Sequence, residues 1–154
     1  MVGKAVIDVA AAHKHFSAAC FNQAWDLIDK PDRTEADDRL MVALNQASIY
    51  HWMNRPDCTD KNLSVGYWQA SRIQALLGNA AEAMRHAETC LGYSADLGPF
   101  HRGYAYEALA RAVSLEPGRP GLADHLARAE ALADQVSDAE DRRLLAADLA
   151  QLRS

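Results

Sequence analysis

Apolar residues recur along this chain every three or four positions, and polar residues fill the gaps. The last segment, SDAEDRRLLAADLAQLRS, shows the pattern most simply. Leu145, Leu149 and Leu152 form one stripe, and charged residues occupy the other positions. That spacing places the stripe on one face of an α-helix. A period-two alternation, the mark of a half-buried strand, nowhere reaches a useful length, and Val and Ile are sparse. Pro31, Pro56, Gly78, the Gly98-Pro99 pair, the EPGRPG run and Ser137 interrupt the pattern. They predict seven helical segments, near 4–29, 34–53, 62–77, 80–96, 99–115, 120–135 and 138–152. Local chemistry supports the divisions. Thr34 precedes Glu35 and Asp37 and can cap the second helix, and Asn62 can cap the third. Gly98 can close the fourth with a positive φ, and Pro99 suits the first turn of the fifth. Ser137 with Glu140 reads as a capping box.

The stretch Tyr67–Leu91, YWQASRIQALLGNAAEAMRHAETCL, predicts two amphipathic helices joined by a tight turn at Gly78-Asn79. At an offset of 40 residues, Ala70 falls on Ala110, Gly78 on Gly118, Ala83 on Ala123 and Ala87 on Ala127. Each pair sets a small residue at a helix contact or a glycine at a turn. One hairpin cannot bury its apolar stripe alone, so about three are needed before a continuous core exists. The leucine-striped last segment then reads as a polar-backed helix covering the end of the stack.

Tyr67, Ser71, Gly78, Ala83 and Cys90 follow, in order, the large, small, turn, small and small positions of the tetratricopeptide repeat, and the stretch resembles that family. The following unit departs from it: Glu107 and Arg111 stand where Tyr67 and Ser71 stood, and Glu130 replaces Cys90. The whole chain also looks like a group of uncharacterised bacterial proteins of this kind. The resemblance implies an all-α, right-handed stack of about three helical hairpins plus a C-terminal capping helix. By the same resemblance, Trp68 and Arg72 fall on positions that line the concave groove of such stacks.

Composition agrees with helices. Hydrophobic residues make up 49%, much of it alanine, and aromatics only 7%. Alanine-rich faces favour close helix–helix contact. A length of 154 residues suits a single domain spanning 1–154. The net charge of −5 comes with scattered Lys and Arg, so nothing here would neutralise a phosphate backbone. No run approaches the roughly 20 apolar residues of a membrane span. The start, MVGKAVIDVAAAHKHF, is interrupted by Asp8 and makes a poor signal peptide. Cys20, Cys58 and Cys90 cannot close a disulfide framework among three, and a reducing cytoplasm is expected. Cys20 and Cys90 read as packing residues, and Cys58, in the NRPDCTDKN loop, as the most exposed thiol.

Chemistry-bearing clusters are few. Trp68 and Arg72, at i and i+4, share a helix face, where a stiff aromatic surface and a carboxylate-pairing cation could meet a partner. The bland alternative packs Trp68 on the first helix and pairs Arg72 with an internal acid such as Glu107. Asn22, Trp25 and Asp26 in the first helix, with His51 and Trp52 in the second, could wall a pocket or simply form the core of the first hairpin. His86 and Cys90 could reach one ion, yet there is no CxxC or HExxH, so no metal or cofactor is expected. There is no GxSxG, P-loop or GxGxxG, and a catalytic role is expected less than a binding one. The expected function is docking of a protein or peptide partner, with Trp68 and Trp25 as anchors, Arg72 as a polar clamp, and Asn22 and His51 beside them. The rival is a small-molecule or metal site between the first and third helices, using His51, His86 and Glu107. Exposed stack ends also suit a homodimer.

Overall fold

The computed structural model describes residues 5–154. Among them are seven α-helices and no strand, so the protein is all-α. The chain divides into two compact units, one ending at Cys58 and the other beginning at Thr59.

The first unit is a helical hairpin of α1 (Val9–Ile28) and α2 (Glu35–Met53). The expected start at residue 4 lies outside the described residues, and residues 5–8 precede the helix. Asp8 sets the boundary, because its carboxylate accepts the Ala11 backbone N–H at 3.0 Å. Thr34 opens α2 as expected. Its hydroxyl accepts from the Asp37 N–H and the Asp37 carboxylate accepts from the Thr34 N–H, at 3.2 and 3.0 Å. The facing sides are small and partly polar. Ser17, Cys20, Ala24 and Ile28 are buried on α1, and Met41, Asn45, Ser48 and Ile49 on α2. The Ser48 hydroxyl donates to the Ser17 carbonyl at 2.7 Å, so a polar core position is satisfied across the hairpin. Arg55 closes the unit: its fork grips Asp57, it donates to the Ser17 hydroxyl at 2.9 Å, and it stacks 3.9 Å from the Trp52 ring.

The second unit holds α3 (Asp60–Leu76), α4 (Ala80–Ser94), α5 (Pro99–Ser114), α6 (Leu122–Ala133) and α7 (Ala139–Gln151). Helices α3 and α4 form one hairpin and α5 and α6 the next; α5 also packs on α3 and α4, and α7 covers α5 and α6. Alanines line the contacts: Ala70, Ala83, Ala87, Ala105, Ala110 and Ala129 are each at most 2% exposed. The expected stripe is buried, Leu145 and Leu149 on α7 and Leu152 at its C-cap. Each such leucine contributes about 1.5–3 kcal/mol, far more than an alanine, so the end helix is a large part of this unit's apolar stabilisation. A Cβ at Gly103 would lie 2.6 Å from Leu145 Cδ2, so this glycine is what lets α5 pass so near α7.

Gly78 ends the α3 turn at φ +77, as its position predicts. Three caps fall elsewhere than expected. Thr59 rather than Asn62 precedes α3, and the Asn62 side chain reaches back to accept the Thr59 N–H at 3.0 Å. Gly98 has φ −66 and serves as N-cap of α5 instead of closing α4, with Pro99 following as expected. Asp138 rather than Ser137 caps α7 by accepting the Asp141 N–H at 2.9 Å, a carboxylate displacing a hydroxyl at the positive helix end.

The internal echo also changes register. Ala110 is buried like Ala70, and Gly118 repeats the positive φ of Gly78. Ala123 and Ala127, however, are exposed. In α6 the positions of Ala83, His86 and Cys90 are taken by Leu126, Ala129 and Ala133, three residues beyond the 40-residue offset. The cause is the connection: Gly118, Arg119 and Gly121 all adopt positive φ, and the chain needs extra residues to complete that turn. Between α3 and α5 the shift is one residue the other way. The buried set Ser64, Gly66, Gln69, Ala70, Ser71 and Ile73 corresponds to Gly103, Ala105, Ala108, Leu109, Ala110 and Ala112.

Candidate functional site

Side-chain chemistry concentrates where α3 and α5 lie side by side. Contacts advance along both helices together. Ser64 and Val65 share a cleft with Phe100 and His101, Trp68 meets Tyr104, Arg72 meets Glu107, and Ala75 and Leu76 face Ser114 and Leu115. The two helices therefore run parallel, and their shared face has an apolar half and a cationic half.

The apolar half is a cleft of about 220 Å³ lined by Ser64, Val65, Trp68, Cys90, Phe100, His101 and Tyr104. Tyr104 is its hub. Its ring takes Trp68 and Phe100 edge-on, at centroid distances of 5.3 and 5.1 Å. Its hydroxyl donates to Asp148 of α7 at 2.8 Å, and burial, reinforced by that bond, keeps it protonated. Cys90 forms part of the lining, with its sulfur 3.6 Å from the Ser64 hydroxyl. Burial pushes this thiol up to about 11, so it is not a nucleophile at neutral pH.

Between the two halves stands Glu107, fully buried. Its Oε2 accepts the Trp68 indole N–H at 2.9 Å, and its Oε1 accepts Arg111 Nε at 2.8 Å and Nη2 at 2.5 Å. Arg72 Nη1 lies 3.7 Å from the same Oε1. One carboxylate thus positions the indole wall of the cleft and neutralises one of two guanidiniums. Burial, then the charge of Arg111, hold Arg72 below the usual arginine range.

Trp68 and Arg72 come together as their i, i+4 spacing requires, and both also join the internal acid Glu107. Trp25, Asn22 and His51 belong to the first unit. Asn22 is exposed, and Trp25 is half-buried with Phe21 edge-on at 6.4 Å. His51 Nδ1 lies 2.8 Å from His13 Nδ1, so one of the two rings supplies the proton of that bond. The pairing of His86 with Glu107 is not formed. Both carboxylate oxygens are taken by Trp68 and Arg111, and His86 Nε2 instead lies 3.8 Å from Glu82. Among the described residues, no group of three or more His, Cys, Asp or Glu is placed to hold a metal ion.

Phe100, His101, Tyr104 and Arg111 escaped sequence reasoning as site residues. Arg111 carries a visible signal: in the register set by the buried positions it is the α5 counterpart of Arg72. The one-residue error in the 40-residue offset set Arg111 against Ser71 and hid the repetition. No protein-family model, curated protein or solved structure matches the chain.

Proposed function

We propose that the second unit is a TPR-like binding module whose α3–α5 face docks a short peptide segment of a protein partner. The observation that carries this is the open aromatic cleft, whose Trp68 wall is fixed from behind by the buried Glu107. A cleft of about 220 Å³ falls below the several hundred cubic ångströms usual for small-molecule sites and suits one apolar side chain of a peptide. Phe100, Trp68 and Tyr104 supply stiff contact area, and Arg72 supplies the polar end. Docking at this face requires nothing from Trp25, Asn22 or His51. An odd count of three cysteines fits a reducing compartment such as the cytoplasm, and no helix among the described residues is long and apolar enough to cross a membrane.

The test is selection of binding peptides from a displayed library, followed by affinity measurement on Val65→Lys. Val65 is half-buried on the cleft wall, so the variant keeps its fold and places a cation at the mouth. Excluding a buried apolar anchor costs about 1.5–3 kcal/mol, or at least about tenfold in Kd. Peptides that bind wild type and Val65→Lys equally would refute docking at this cleft.

A further inference from the structure

The cationic half of the α3–α5 face sets two guanidiniums beside one hydrogen-bonded carboxylate. Arg111 commits Nε and Nη2 to Glu107. Arg72 lies beyond hydrogen-bond reach of that carboxylate, and its Nε and Nη1 are buried with no hydrogen-bond partner among the described residues. A buried guanidinium donor left unmet costs free energy, so its retention needs a reason. Capping of helix ends does not supply one. Arg111 stands in the last turn of α5, where a cation complements the dipole, but Arg72 makes no bond to any α3 carbonyl. Asp148, the other acid near Arg72, acts on it through its charge and accepts its hydrogen bond from the Tyr104 hydroxyl instead. The two arginines, with Ala75, Leu76, Ser114 and Leu115, line a second cleft of about 130 Å³. The Ser114 hydroxyl gives its proton to the Arg111 carbonyl at 2.6 Å, so the available donors here are guanidinium N–H groups.

We propose that the Arg72–Arg111 cleft is an oxyanion subsite that takes a carboxylate or phosphoryl group against the two guanidiniums. Planar forks of this kind match both anions in charge and in geometry. The subsite rests on the reading of the α3–α5 face as a docking surface and adds the chemistry of the group that the occupant presents there.

The experiment follows the Arg72 and Arg111 Nε–H resonances of the full-length protein while sodium acetate or sodium phosphate replaces sodium chloride at constant ionic strength. The expected result is a joint, saturable shift of both resonances with at least one oxyanion and none beyond the chloride baseline without it. Saturation by acetate alone assigns a carboxylate group, by phosphate alone a phosphoryl group, and by both the shared chemistry. Two variants guard against a trivial loss of structure. Leu115→Glu, at a rim residue 41% exposed, places a competing carboxylate at the cleft and should weaken binding at least about tenfold while the fold persists. Arg111→Lys keeps the charge but loses the fork and should weaken it at least about fivefold. Shifts no larger than with chloride, or unchanged affinity in Leu115→Glu, would overturn the proposal. Because the probe is the free anion, peptide binding without oxyanion binding defeats the subsite alone. Oxyanion binding without any peptide binding defeats the docking reading alone.

Discussion

Glu107→Gln tests the buried network most directly. Glutamine preserves the shape, and its carbonyl oxygen can still accept the Trp68 indole N–H, but the negative charge between Arg72 and Arg111 is gone. Removing one partner of a fully buried ion pair typically costs about 3–5 kcal/mol, because an uncompensated charge stays behind. Here the carboxylate is 1% exposed, but the two arginine side chains are 19% and 16% exposed, so water can recover part of that loss. The Arg111 bonds to the charged acceptor alone account for about 1.5–3 kcal/mol. The expected destabilisation is therefore about 2–4 kcal/mol, a large share of the stability of a small domain. The assay is urea unfolding, followed through the Trp68 indole N–H resonance so that it reports on the second unit. A loss below about 1 kcal/mol would show that Glu107 does not hold the arginines, and that its burial is incidental. A further variant, Glu107→Gln with Arg111→Gln, should recover part of the loss, since the two residues share one interaction.

Two glycines in the second unit should respond to alanine with opposite signs. Gly103→Ala forces a methyl against Leu145 Cδ2, on a side chain that is fully buried. The overpacking cost of about 1–3 kcal/mol should outweigh the roughly 1 kcal/mol gained in helix propensity. Gly92→Ala meets nothing within 4 Å and should stabilise by about 0.5–1 kcal/mol, and thermal melts of both that moved the same way would sink this account of α5 packing. Acid should weaken the fold before any carboxylate titrates. Burial, the leading cause in each case, lowers the pKa of His51, His86, His101 and His125, so the unfolded chain takes up protons first. Stability from these groups is full above the ordinary histidine value of about 6.5 and falls as pH drops below it. A melting temperature that stays flat or rises from about pH 7.5 to about pH 5.5 would contradict this, both limits being about one unit either side of that value.

The sequence by itself determined the helices. A 3.6-residue apolar period, Gly78 at a turn that demands a positive φ, and the Thr34–Asp37 box are local effects, and each appears as its residues require. The Leu145, Leu149 and Leu152 stripe likewise named the buried face of the last helix before any neighbour was known. Cap positions slipped by a residue or more where two suitable side chains competed, as at Ser137 and Asp138. The candidate site was half legible: spacing along α3 joined Trp68 to Arg72, and Glu107 was foreseen as a counter-charge. Only the tertiary structure brought in Tyr104, Phe100 and Arg111. Their place depends on how far α5 slides along α3, and that register is set by the contacts between the two helices themselves. Periodicity fixes which face of a helix is apolar. It carries no information about the axial offset between two helices, and here that offset decides whether one arginine or two face the same carboxylate.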